Sequence, residues 1–312
     1  LWSLGDYAAA GDRWADASVR LAEAHAKPGL DVLDLACGPG PFAVAAARNG
    51  ANVTALDAAP ALLDLARKRA TAAGVAVEWI EADMTAVPVP DAAFDLVASA
   101  FGCMFAPDAE AMAAELVRLC RSGGRIAVLA WTPESAFGAM APLAGRYLQH
   151  SGPSPVERWA RAENVQAVFA GLPVLLDHEV RTVEVVWAGL EEAVREITTG
   201  NPAWLMIRSA VEPTGRWDAL VADLTALLDA HGRTENGRFV LPVDYLETVA
   251  HRSLSVIIFN NGRVGPCMTP QGPARSSPSP SCPGSSARGR PRCSTACSPA
   301  ATGCGSRSSS TT

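Results

Sequence analysis

The segment VLDLACGPGPF, residues 32–42, limits what this chain can fold into more than any other stretch. The apolar run from Leu30 to Ala36 ends in glycines, as a buried parallel strand does before it turns. Gly38 and Gly40 then supply a tight turn into a helix expected over 42–48. A β-carbon at such a turn would block both the turn itself and the approach of a ligand to the backbone. The helix N-terminus beyond it offers unpaired N–H groups that suit a carboxylate or a phosphate. Gly38, Gly40 and Ala43 also satisfy the relaxed G-x-G-x-x-A pattern of dinucleotide sites, which by itself leaves the ligand open.

The surrounding residues repeat the rhythm of that first unit. Strands are expected at Asn52–Leu56, Val75–Ile80, Phe94–Ser99 and Arg125–Trp131. Between them, Pro60 opens a helix to about Ala73, with Leu62, Leu63, Ala66 and Ala70 on one face. Another helix gathers Met112, Leu116, Leu119 and Cys120. Strands alternating with helices imply an α/β fold, a doubly wound parallel sheet with right-handed crossovers. Beyond residue 132 the rhythm loosens. Pro142, Gly145, Gly152, Pro153 and Pro155 mark an irregular stretch, Val180–Trp187 alternates as a strand, and Glu191–His231 reads as helical. Tyr245–His251 reads as a closing strand. The helical insert, about residues 189–232, interrupts the α/β pattern and is expected to form a lid or substrate wall.

Two further carboxylates follow strand ends. Asp57 ends NVTALD at the carboxyl edge of the sheet beside the glycine loop, where its oxygens can accept from both hydroxyls of a ribose. Asp83, in WIEADM, reaches the same edge and can accept from an exocyclic adenine amine. With Asp34, three strand ends present acids to one crevice, the place where open α/β sheets bind ligands. Each has a plainer reading: Asp34 as a brace for the loop, Asp57 as an acid before the helix at Pro60, Asp83 as a turn residue.

At 312 residues, 49% hydrophobic and 19% charged, the chain has enough apolar material for one large domain or two small ones. A net charge of −6 argues against a nucleic-acid partner. Neither a basic leader nor an apolar run of membrane-spanning length is seen, so a cytoplasmic location without a membrane span is expected. Cys37, Cys103 and Cys120 lie far apart in apolar contexts, and no tight C-x2-C pair suggests a metal. From Gly262 to Thr312 there is no Asp, Glu or Lys, and Ser, Pro, Gly, Arg and Cys dominate. Such a stretch buries too little apolar surface to offset its ordering entropy, so disorder is expected over a tail running from about 253 to 312. Its bias matches a GC-rich coding frame read out of phase, which is favoured over a basic interaction tail.

With these motifs in place, the sequence resembles the class I S-adenosylmethionine-dependent methyltransferases. VLDLACGPG matches the first glycine motif of that family, ALD its second and EADM its third. WSLGDY, FDLVASAFGCMFAPD and LCRSGGRIAVLAWTPE extend the likeness to a small-molecule group related to the ubiquinone and menaquinone methyltransferases. The resemblance covers about residues 1–252 and implies a seven-stranded Rossmann-like sheet whose last strand is antiparallel. It implies S-adenosylmethionine as cofactor, contacted by Gly38 and Gly40, with Asp34 near its amino group and Ala36 beside it. It also implies Asp57 with Ala58 at the ribose, and Asp83 with the Met84 backbone at the adenine. Ser99 and Phe101 would adjoin the sulfonium and the acceptor, and Tyr7 would cover the cofactor. The family often has Thr or Ser where Pro39 stands; that position contributes mainly backbone, so the change matters little.

Methyl transfer asks the protein chiefly to align the acceptor and exclude water. No catalytic residue is assigned; among His25, His150, His178, His231 and His251, none ends a strand in a recognised motif. The expected partner is a small-molecule methyl acceptor, and the apolar, tryptophan-bearing insert suits a hydrophobic or aromatic one. Two alternatives stand: an NAD-dependent oxidoreductase using Gly38, Gly40 and Asp57, and a module that binds cofactor without turnover. The oligomeric state is not legible.

Overall fold

The computed structural model describes residues 11–148, 155–254, 256–259 and 263–266. Tyr7, His150 and most of the expected tail lie outside the described residues. In chain order the main elements are α1 (Ala15–His25), β1 (Asp31–Leu35), α2 (Pro41–Arg48), β2 (Asn52–Asp57), α3 (Pro60–Ala73) and β3 (Glu78–Glu81). Next come β4 (Phe94–Ala100), α4 (Ala109–Leu119), β5 (Cys120–Trp131), α5 (Ala136–Gly145), α6 (Ala162–Val168) and β6 (Val174–Trp187). Helices α7 (Leu190–Gly200), α8 (Pro202–Val211) and α9 (Trp217–His231) precede β7 (Arg233–Glu235) and β8 (Arg238–Arg252). A hairpin of β9 (Val256–Phe259) and β10 (Arg263–Pro266) follows.

The sheet runs β3-β2-β1-β4-β5-β8-β6, with the short β7 paired to β8. Neighbours from β3 through β5 are parallel, and β8 is antiparallel to both β5 and β6. This is the expected doubly wound α/β sheet: seven strands in one path, the last in sequence reversed, plus one short hairpin strand. Chain order reverses between β1 and β4, so the crevice at their carboxyl ends is the topological switch point.

The central strands are buried on both faces. Val32, Leu33, Leu35, Leu96, Val97, Ile126 and Leu129 are all at most 1% exposed. Strand β6, at the sheet edge, instead alternates between partly exposed and exposed over its first half, with Leu175 and Val180 in solvent. Helix α3 has the expected bounds because both ends carry strong signals. Pro60 sits in its first turn, and Gly74 closes it in the left-handed region at φ +68°.

Five expectations need correction. Strand β5 begins at Cys120 rather than Arg125, so Cys120 opens the strand instead of lying on the preceding helix, which ends at Leu119. Strand β3 begins at Glu78 rather than Val75. The stretch around Pro142 is helical: Ser135 caps α5 by accepting from Gly138 N at 3.1 Å, and burial of Ala136, Leu143 and Ala144 offsets the bond Pro142 cannot make. Strand β6 begins six residues earlier than the alternation suggests, because its first half does not bury one face. Strand β8 begins at Arg238, after a two-residue Asn236-Gly237 turn with both residues at positive φ, as a tight hairpin demands.

Candidate active site

The chain leaves β1 through Ala36, which holds a left-handed φ of +56°. Cys37 N donates to Leu56 O at 2.9 Å, tying the loop to the end of β2. Gly38 follows at φ +54°, and a β-carbon there would stand in open space beside the cavity. Gly40, at φ +83°, ends the turn, and its N–H returns to Cys37 O. Here a β-carbon would lie 2.9 Å from Ala66 Cβ, so glycine lets α2 start tight against α3.

Three carboxylates lie around the resulting cavity, which measures about 270 Å³. Asp34 is 1% exposed and accepts from Ala43 N at 3.0 Å, in the first turn of α2. Burial pushes its carboxyl up to about 8, against the lowering effect of the Ala43 N–H, with the charge of Asp57 adding to the rise. Asp57 accepts from Gly38 N at 2.8 Å and from Ala59 N at 2.9 Å, so it fixes the glycine loop and the entry to α3. Burial outweighs these bonds and raises its carboxyl too. Asp83 is exposed, and Thr85 donates to it from both N (2.8 Å) and Oγ1 (2.7 Å), holding its carboxyl below the ordinary range.

The far wall comes from the end of β4. Phe101 has a left-handed φ of +62°, and its ring stacks on Trp131 with centroids 3.7 Å apart. Ser99 lies behind this wall. Its hydroxyl donates to Leu35 O at 2.8 Å and accepts from Cys103 N at 2.9 Å, bracing the β4 exit against β1. Gly102 passes so close to Ala36 that a β-carbon would come within 2.6 Å of Ala36 Cβ.

Of the residues singled out in the sequence, Asp34, Ala36, Gly38, Asp57, Ala58, Asp83, Met84 and Phe101 meet around this one cavity. Gly40 and Ser99 do not line it; they shape it from behind. Trp14 and Phe105 do line it and were not singled out. Trp14 belongs to a segment with no motif, and Phe105, though inside FDLVASAFGCMFAPD, carried no signal of its own; the tertiary fold brings both in.

A second cavity of about 160 Å³ adjoins the first, sharing Trp14, Phe101 and Phe105. Its walls are aromatic: Trp131 and Phe137 meet edge to face at 5.1 Å, and Trp14 meets Phe137 the same way at 5.4 Å. Helices α7 and α8 close it with Ile197, Trp204 and Ile207, so the helical insert forms a wall here. Among the described residues no cluster could hold a metal ion, and no helix is long and apolar enough to cross a membrane.

The first cavity fits an adenosyl ligand with a charged amino group. Asp34 is a buried carboxyl that accepts one hydrogen bond among the described residues and would ionise against an ammonium, Gly38 leaves the floor open, and Asp57 and Asp83 keep acceptor lone pairs at the rim. Residues 32–124 match the family described as "Methyltransferase domain". A demethylmenaquinone methyltransferase of Thermus thermophilus is 35% identical over 195 residues, covering 55% of this chain and 86% of the relative. The chain belongs to the class I S-adenosylmethionine-dependent methyltransferases. An uncharacterised protein of Mycobacterium tuberculosis is 44% identical over 142 residues, covering 45% of this methyltransferase chain and 52% of the relative. The chain thus spans about half the length of the mycobacterial relatives it matches. The crystal structure of a putative methyltransferase from Bacillus halodurans superposes with a TM-score of 0.53 at 18% identity, covering 76% of this chain and 98% of that one. That likeness concerns the fold alone.

Proposed function

We propose that this methyltransferase chain moves a methyl group from S-adenosylmethionine to a small-molecule acceptor, a secondary metabolite or quinone-like compound, by in-line displacement. The observation that carries this reading is the placement of Asp34. Its carboxylate already meets the N–H of Ala43 at the start of α2, inside the cavity floor. A pyrophosphate brought to that helix end would find the Ala43 N–H already engaged, whereas an ammonium stabilises the ionised form of a carboxyl that burial otherwise keeps protonated. This favours an adenosyl amino acid over NAD.

In this reading Asp34 holds the amino group and Gly38 lets the ligand lie against the backbone. Asp57 accepts from the ribose with the lone pairs that Gly38 N and Ala59 N leave, beside Ala36 and Ala58. Asp83 and the Met84 backbone hold the adenine, and Tyr7 covers the ligand. Gly40 and Ser99 act by setting the shape of the loop and of the β4 exit. Bound S-adenosylmethionine supplies an electrophilic methyl carbon on a sulfonium. The chain's own share is to align the acceptor through Phe101 and its neighbours and to keep water out of the apolar second cavity. The quinone-like branch draws support from the name of the Thermus relative. We place the end of the catalytic domain near residue 252, where β8 ends, with residues 253–312 as a tail without a role in the reaction.

The test is incubation of the full chain with methyl-labelled S-adenosylmethionine and panels of quinone precursors, phenols and amines. Labelled product forming in step with S-adenosylhomocysteine for at least one acceptor is expected. A cofactor-binding protein that forms neither with any acceptor would be a non-catalytic module.

A further inference from the structure

The second cavity carries an orienting hydrogen-bond donor as well as apolar walls. Asn201 joins α7 to α8 and lines the cavity. Its Oδ1 accepts from Ala203 N at 2.9 Å and Trp204 N at 3.4 Å, capping α8. Those bonds fix which end of the amide is oxygen and hold its plane. Nδ2 is then a pre-set donor on a partly exposed side chain, with no hydrogen-bond partner among the described residues. Trp187 lines the same cavity, and its buried Nε1 also has no partner there.

The one charged side chain in the described wall is already neutralised. Glu196 receives Arg13 Nε at 3.0 and 3.2 Å and Nη2 at 2.5 Å. The same guanidinium donates to Val186 O and lies over the Trp187 ring, 5.4 Å from its centroid. An anionic ligand gains nothing from this closed pair and meets the Glu196 carboxylate. A cationic ligand would have to compete with Arg13. The walls therefore select an uncharged molecule.

We propose that the second cavity binds an uncharged aromatic ring system bearing a hydrogen-bond-accepting oxygen, and that Asn201 Nδ2 is the specificity-determining donor to that oxygen. The rings of Phe137 and Trp131, set edge to face, give the cavity an aromatic wall against which one further flat ring can pack. Because Asn201 is anchored by its cap, the donor orients the ring without first having to be ordered itself. The proposal rests on the methyl-transfer reading for the name acceptor, and its binding chemistry stands apart from that reading.

The test is calorimetric titration of the full chain with 2-acetylnaphthalene, naphthalene and naphthalene-2-carboxylate, in the presence and absence of S-adenosylhomocysteine. Wild type should bind 2-acetylnaphthalene about tenfold more tightly than naphthalene, the size of one net hydrogen bond, and more tightly than the carboxylate. Asn201→Asp keeps the capping oxygen and removes the amide donor. It should abolish the preference for 2-acetylnaphthalene over naphthalene while naphthalene itself binds as before, which also reports an intact fold. Equal binding of 2-acetylnaphthalene and naphthalene by wild type would overturn the proposal. A preference retained in Asn201→Asp, or displacement of S-adenosylhomocysteine by the naphthalenes, would do the same. Failure of S-adenosylhomocysteine to bind, with the naphthalene pattern intact, would instead remove the methyl-transfer reading and support the assignment of this cavity.

Discussion

Gly38 and Gly40 both sit at positive φ in one turn, yet a methyl group would mean different things at each. At Gly40 it would meet Ala66 Cβ at 2.9 Å, so Gly40→Ala combines left-handed strain of about 1–2 kcal/mol with a backbone shift. At Gly38 it would stand in open cavity. Chemical denaturation should therefore show Gly40→Ala to be the less stable variant. Gly38→Ala should lose more of its S-adenosylhomocysteine affinity than of its stability, and the reverse ranking would contradict the geometry. Asp34 gives a pH signature. In the unfolded chain it titrates in the ordinary carboxylate range, whereas in the fold burial holds its proton up to about 8. The folded state then binds more protons between those values, so stability falls as pH rises through that window. Asp34→Asn keeps an oxygen for Ala43 N and removes the titration. Its urea midpoint should fall less than wild type's between pH 5 and pH 8; parallel slopes would show that Asp34 does not hold the proton. Most of these site residues were legible because each ends or follows a strand in a recognisable motif. Trp14 and Phe105 were not, since no local pattern distinguishes a cavity aromatic from a core one.

Elements with their own start and stop signals were readable from the sequence, and those shaped by tertiary contact were not. Helix α3 carries Pro60 and Gly74 at its ends, and the glycine turn bounds β1 and α2. Helix α5 runs through Pro142, against local preference, because its apolar residues are needed for the core and the second cavity. The Asn236-Gly237 turn was a signal available in the sequence; the Pro242 that follows hid how far β8 extends. In α9 the helical periodicity was plain, and Leu220, Leu224 and Leu228 are each fully buried along one face. Leu224→Ala should cost about 2–5 kcal/mol in urea denaturation. A loss below about 1 kcal/mol would mean that α9 is not packed as a fixed wall.

On the scale of the whole molecule, a parallel sheet with its order reversing between β1 and β4 gathers three carboxylates, a glycine floor and an aromatic wall at one crevice. The fold class followed from the strand-helix rhythm, but the reversed β8 followed only from the family resemblance. The shape of the second cavity followed from neither, because its walls come from α5, β6 and the α7–α8 pair, far apart in sequence. On the proposed reading this crevice selects an adenosyl amino acid and not a dinucleotide. Calorimetric titration of the full chain with S-adenosylmethionine, S-adenosylhomocysteine and NAD tests it most directly, with Asp57→Asn as a companion. Micromolar binding of both adenosyl ligands, weakened at least tenfold in Asp57→Asn and absent for NAD, is the predicted result. Binding of NAD with neither adenosyl ligand would contradict it.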